Sequence, residues 1–112
     1  IIELPIATLA WLGRRWPVAG GGYHRLLPWS VIRWIVQHHL RRHEPFVSYC
    51  HPYEFDAAEF RTLDLGIPLK TQLHQQLGRR GFQPKFERLL TTFHVVQAQA
   101  LALEAEWPEH RV

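Results

Sequence analysis

The chain has 112 residues, 46% of them hydrophobic and 21% charged, the proportions of a globular domain rather than a disordered segment. No apolar run approaches the roughly 20 residues that a membrane-spanning helix needs, and a single cysteine, Cys50, excludes an intrachain disulfide framework and a cysteine-rich zinc site. The net charge of +3 arises from 13 basic and 10 acidic residues, but the arginines stand in separate pairs such as Arg14-Arg15 and Arg79-Arg80, a pattern that argues against nucleic acid as a partner.

Methionine is absent, and the chain opens on the apolar run Ile1-Ile2-Glu3-Leu4. Both features predict an internal or C-terminal segment of a longer polypeptide. Residues 1–12 read as a short strand and its exit, with Pro5 limiting ladder pairing. Residues 13–22 read as loop, because Pro17 and three successive glycines punctuate it. A helix is expected over 28–43, starting at Pro28 or Ser30. Its buried face carries Ile32, Ile35, Val36, His39 and Leu40, and Arg41, Arg42 and His43 fall in its last turn, where the helix dipole favours cations.

Residues 46–50 read as a strand bounded by Pro45 and His51-Pro52. Loop follows to residue 68, with one helical turn at 57–61. A helix is expected over 69–80 with Leu69, Leu73 and Leu77 in register, and another over 84–92 with Phe86, Leu89 and Leu90 on one face. Residues 93–96 read as a last short strand and 97–106 as a helix, followed by a loose tail. Residues 1–96 therefore form the main unit, and residues 97–112 a C-terminal helix and tail. Strands alternating with helices predict an α/β architecture, layered or barrel. Two or three strands are too few to close a sheet, so the fold is expected to be part of something larger.

Four groups of residues could carry chemistry. In a strand over 46–50, Val47, Tyr49 and His51 share one face. His51 then lies at the strand's carboxyl end, where α/β sheets and barrels meet ligands. Glu54 and Asp56 follow closely enough to orient the imidazole or raise its pKa. Such a histidine suits general acid or base work; the plainer alternative is a ring that hydrogen-bonds a loop carbonyl. Gly20, Gly21 and Gly22 permit close backbone approach to a ligand, and Arg25 just after them could donate to a carboxylate or sugar hydroxyl. A flexible turn is the plainer reading, and no phosphate-loop pattern follows. His39 and His43 are spaced like zinc ligands, but no Glu follows His39, and Arg41 and Arg42 between them disfavour a cation. Trp11, Trp16, Trp29 and Trp34 offer stacking faces for sugars, although aromatics at this density also build plain cores.

Taken in order, Glu3-Leu4-Pro5, then Gly20-Gly21-Gly22-Tyr23-His24-Arg25-Leu26-Leu27-Pro28, then Tyr49-Cys50-His51-Pro52-Tyr53-Glu54-Phe55-Asp56, make the chain resemble the C-terminal portion of a known group of enzymes. These are the polysaccharide deacetylases of bacterial exopolysaccharide loci, a branch of the NodB-like carbohydrate esterases that ends in a domain of unknown function. The resemblance covers most of residues 1–96. It departs at His24 and Tyr53, where the family usually has an aromatic residue and a tryptophan.

The resemblance implies the C-terminal fragment of a distorted (β/α) barrel. It implies hydrolysis of N-acetyl groups on an N-acetylated polysaccharide by water activated on a divalent metal, usually zinc. His51 corresponds to the general acid that protonates the leaving amine. Gly21, Gly22, Tyr23, Arg25, Tyr49 and Tyr53 fall on the substrate-pocket rim, with Glu54 and Asp56 in support. Neither an Asp-Asp pair nor His-Ser/Thr-x-x-His occurs here, so the metal ligands are expected in the upstream remainder of the polypeptide and none in this segment. The rival from another class is a non-catalytic carbohydrate-binding or assembly module, which the Trp and Tyr content would also serve.

Overall fold

A computed structural model describes residues 3–59 and 66–104 of the chain. Ile1 and Ile2, residues 60 and 61 of the helical turn expected at 57–61, and the tail beyond residue 104 lie outside the described residues.

The first regular element is a hairpin. Strand β1 (Leu9–Trp11) pairs antiparallel with β2 (Arg14–Trp16), setting Leu9 opposite Trp16, Ala10 opposite Arg15 and Trp11 opposite Arg14. Leu12 and Gly13 join them with φ of 51° and 72°, the two-residue turn whose twist matches that of the flanking strands. The loop expected over 13–22 is thus corrected. Pro17 ends a strand, and the glycines open a helix, α1 (Gly21–Leu26). Among the described residues, the strand expected in residues 1–12 is confined to Leu9–Trp11. Residues 3–8 before it are irregular, with Ala7 donating its N–H to the Val47 carbonyl at 3.1 Å.

Helix α2 (Trp29–Arg41) starts after Pro28, which stands as its N-cap residue, and buries Ile32, Ile35, Val36 and His39. It stops two residues earlier than expected. His43 takes a φ of 56°, the Glu44 N–H reaches the His39 carbonyl and the His43 N–H reaches that of Leu40. These bonds form a Schellman motif with histidine in the left-handed position that glycine usually fills.

Residues 46–50 do not form the expected strand. They lie beside two irregular segments, making one bridge between Gly20 and Tyr49 and single bonds from Ala7 and to Ala19. Pro5 and Pro17, lacking N–H groups, flank those partners, so no ladder extends. Residues 93–96 likewise carry no strand.

A 3₁₀ turn over Pro52–Glu54 follows, then α3 (Leu69–Gln76), a second 3₁₀ turn (Arg79–Gly81), α4 (Phe82–Thr92) and α5 (Ala98–Glu104). The single helix expected over 69–80 is divided at Gly78, which adopts a φ of 79°; a Cβ there would sit 2.6 Å from the Arg25 carbonyl oxygen. Gly78 therefore serves both the left-handed turn and a close approach to α1.

Ile32, Val36 and Leu89 form a core cluster, with Leu27, Trp29, Phe46 and Phe93 packed against it. Phe55, Phe82 and Phe86 make a second aromatic group with centroids 4.8–5.8 Å apart. Leu40 and Leu90, expected on buried faces, line an open apolar cavity of about 390 Å³ between α2, α4 and α5. Leu69, Leu73 and Leu77 are exposed. The described residues thus combine helices with one small two-stranded sheet, a mixed architecture compatible with the α/β class.

Candidate functional site

The glycine triplet and the His51 segment are brought together by one buried carboxylate. Glu54 is 1% exposed and sits where a side chain on Gly21 would have to be: a Cβ built there overlaps the Glu54 carboxyl group. Glycine is required at 21 because the carboxylate occupies the space. Oε2 of Glu54 accepts the His51 N–H at 2.9 Å, and the Glu54 N–H returns to the His51 carbonyl at 3.0 Å. Oε1 faces Arg25 Nε at 3.4 Å in a buried ion pair without the alignment of a hydrogen bond. Burying a carboxylate is costly unless it is paired and hydrogen-bonded, and both conditions are met here.

Locked at its backbone, His51 presents an exposed ring between two tyrosines. Tyr53 stacks on it at 5.2 Å with 9° between planes, and Tyr49 meets it edge-on at 5.6 Å. The face shared by Tyr49 and His51 is the one that strand alternation anticipates. The Tyr49 hydroxyl lies 3.3 Å from the place of a Cβ on Gly20, so the glycine loop also supports this ring. Tyr49 and Tyr53 are both half exposed. Neither candidate carboxylate hydrogen-bonds the imidazole. Glu54 holds the His51 backbone, and the Asp56 carboxylate accepts the Ala58 N–H at 2.8 Å. Among the proposed rim residues, Gly21 is buried, Gly22 and Tyr23 are partly exposed, and the Arg25 guanidinium turns inward, donating to the Gln75 carbonyl at 2.6 Å.

Three participants escape a reading of residue patterns. Arg79 is buried behind Tyr53, its guanidinium 4.9 Å from the ring centroid, and it donates to the carbonyls of Gln75 and Asp56 and to the Glu59 carboxylate. The Gln75 carbonyl thus receives both Arg25 and Arg79, tying α1 and the 51–56 turn to α3. Lys85 donates to the carbonyls of Arg25 and Leu27 at 2.7 and 2.9 Å, closing the end of α1. Burial pushes its pKa down. Most of these acceptors are backbone carbonyls, which carry no residue-type signature. The Arg79-Arg80 pair after Gly78 was the available signal.

His24 is buried beneath this loop, stacked on Phe46 at 6.2 Å, with Nε2 lacking a hydrogen-bond partner. Desolvation, aided by the nearby Lys85 charge, lowers its pKa to about 4. His39 lies apart from the site. Its Nδ1 and Nε2 stand 3.0 and 3.1 Å from the carbonyl oxygens of Ile35 and Thr8, so both ring nitrogens face backbone oxygens. His43 has left the helix, so the four-residue spacing does not place the pair on one helical face. Among the described residues no group of three or more His, Cys, Asp or Glu side chains is placed to hold a metal ion.

What the arrangement offers chemically is an exposed imidazole on a rigid backbone beside two ring faces. Such a group can give or take a proton, and such faces can stack on a sugar. A family model described as a domain of unknown function (DUF3473) matches residues 1–102. No curated protein and no solved structure matches the chain.

Proposed function

The chain belongs to the DUF3473 family of domains of unknown function, and from that premise we propose that it is the C-terminal part of a metal-dependent polysaccharide deacetylase, to which it contributes the general acid His51. The observation that carries this reading is the exposed His51 ring, held between Tyr49 and Tyr53 on a backbone fixed by the buried Glu54. The ordered motifs of the glycine loop and the His-Pro segment support it by resemblance. On this reading residues 3–8 and 46–50 are edges of a barrel that the upstream polypeptide completes.

His51 donates its proton to the nitrogen of the N-acetyl group as the C–N amide bond breaks, so that the sugar leaves as a free amine. Histidine is the side chain suited to hold and release such a proton. The rings of Tyr49 and Tyr53 receive a face of the sugar. Glu54 acts through the backbone, setting where the imidazole stands, and Arg25 pairs with that carboxylate. The metal supplies an activated water when bound; its ligands belong to the upstream polypeptide.

The test is His51→Ala and His51→Gln in the full-length enzyme, assayed on an N-acetylated oligosaccharide. Loss of an acid catalyst predicts a fall in kcat of about a hundredfold or more, with KM little changed. Unchanged turnover overturns the assignment. A second reading, a non-catalytic carbohydrate-binding module, is favoured by the half-exposed Tyr49 and Tyr53. It predicts that the sequence upstream of Ile1 lacks an Asp-Asp pair and His-Ser/Thr-x-x-His, and that Tyr53→Ala weakens sugar binding in a protein without deacetylase activity.

A further inference from the structure

The β1–β2 hairpin presents an apolar and cationic surface that the proposed deacetylase site does not use. Antiparallel register puts Leu9, Trp11, Arg14 and Trp16 on one face and Ala10 and Arg15 on the other. Leu12 is 79%, Trp11 61% and Trp16 40% exposed, and neither indole stacks on another ring. Leu12 also occupies a φ of 51°, a conformation that suits Asn or Gly and strains leucine. An apolar side chain is thus kept at the tip where it is least favourable both for the backbone and for water.

From residue 4 to residue 43 the formal charges along the chain have one sign. Residues 4–43 contain six arginines, four tryptophans and no Asp or Glu. Arg15 lines a cleft with His38 of α2 and with Arg42 just after that helix, and Trp34 stacks on His38 at 5.5 Å. The first carboxylate after this stretch, Glu44, lines the same cleft and is bonded to Arg42. No helix among the described residues is long and apolar enough to cross a membrane.

We propose that the Trp11–Trp16 hairpin is a membrane-interface anchor that inserts Leu12 and the two indoles at the headgroup level of an anionic bilayer, with Arg14 and Arg15 on its phosphates. Tryptophan is the residue that prefers this boundary, and arginine extends its charge to phosphate while its stem stays in apolar surroundings. Anionic lipid attracts such a basic segment within a Debye length. A sugar platform would instead pair ring faces with carboxylate or amide side chains, and it has no use for an exposed leucine at the tip; the hairpin holds neither Asp, Glu, Asn nor Gln.

Co-sedimentation of the protein with phosphatidylcholine vesicles, with and without phosphatidylglycerol, tests this. Binding is expected only to the anionic vesicles and is expected to weaken as salt rises. Leu12→Asn, which suits the turn, keeps or raises the melting temperature yet weakens binding about tenfold. Arg14→Ser with Arg15→Ser weakens it about tenfold or more. Leu69→Asn, at an exposed leucine on α3, leaves it unchanged. Absence of vesicle binding by the wild type, or a Leu12→Asn variant that binds as the wild type does, overturns the proposal. So does a hairpin variant whose only losses are in binding a soluble oligosaccharide or in self-association without lipid.

Discussion

At the scale of single residues, the site depends on a side chain that replaces a missing one. The Glu54 carboxylate fills the volume next to Gly21 and meets two partners, the His51 N–H and Arg25. Glu54→Gln keeps the shape but leaves the Arg25 charge buried without its counter-ion. Removing one partner of a buried pair costs about 3–5 kcal/mol, and urea unfolding should show a loss of that order. Gly21→Ala should destabilise at least as much, because the new methyl group and the carboxylate cannot share the space. A Gly21→Ala variant as stable as the wild type would mean that Glu54 does not lie where described.

His24 provides a pH test at the same scale. Burial first, and the Lys85 charge second, hold its pKa at about 4 in the folded chain, against 6.5 ordinarily. The unfolded chain therefore binds the extra proton more readily. The contribution of neutral His24 is fully present above pH 6.5, drains away as pH falls toward 4, and is gone below that. The whole step is worth about 3 kcal/mol. His24→Phe, which keeps a ring against Phe46, should flatten the stability profile between pH 6.5 and 4 relative to the wild type. Parallel profiles for the two proteins would show that His24 is protonated without cost. None of this was legible from the sequence, where His24 stood out only as a departure from an aromatic position.

At the scale of elements, helices were more legible than strands, and the reason is where their hydrogen bonds go. A helix satisfies its backbone within its own sequence, so the spacing of Ile32, Ile35, Val36 and His39 suffices to place α2 on its buried face. Its end at Arg41 depends on a left-handed His43, a position where glycine would have been the readable sign. The segment 46–50 has strand composition, but its pairing depends on residues 7 and 19–20, and those lie next to prolines. The β1–β2 hairpin was missed because its turn is Leu-Gly rather than Asn-Gly, the signature that advertises such a turn. The break in the 69–80 helix was half visible, since a glycine at 78 is the residue type that commonly ends a helix. That it also admits the Arg25 carbonyl was not, because close approach is a property of α1 and not of the local pattern. The same division runs through the site. The shared face of Tyr49 and His51 was readable from strand alternation, whereas Tyr53 entered only through the resemblance. The inward turn of Arg25 and the role of Arg79 were not, since both are set largely by backbone carbonyls.

At the scale of the whole molecule, the described histidines and carboxylates do not converge on one point. His51 is flanked by rings rather than carboxylates, His39 is turned to two carbonyls, and His43 stands outside α2. A tetrahedral zinc site needs three or four converging ligands with free lone pairs. The division of labour proposed above therefore carries a quantitative expectation. Calorimetric titration of the 112-residue chain with zinc should give only weak, substoichiometric heat, and the chain alone should not deacetylate an N-acetylated oligosaccharide. The full-length enzyme should bind one zinc tightly and lose activity on chelation, while His51→Ala in that enzyme leaves the zinc affinity unchanged. Because ligands must be deprotonated to bind, zinc uptake by the full-length protein should also release protons, seen as a dependence of the heat on the buffer's ionisation enthalpy. Tight one-to-one binding by the 112 residues, abolished by His39→Ala or His43→Ala, would overturn this division. It would require the His39 ring to exchange the Thr8 and Ile35 carbonyls for a metal, and α2 to extend by a turn to bring His43 onto the same face.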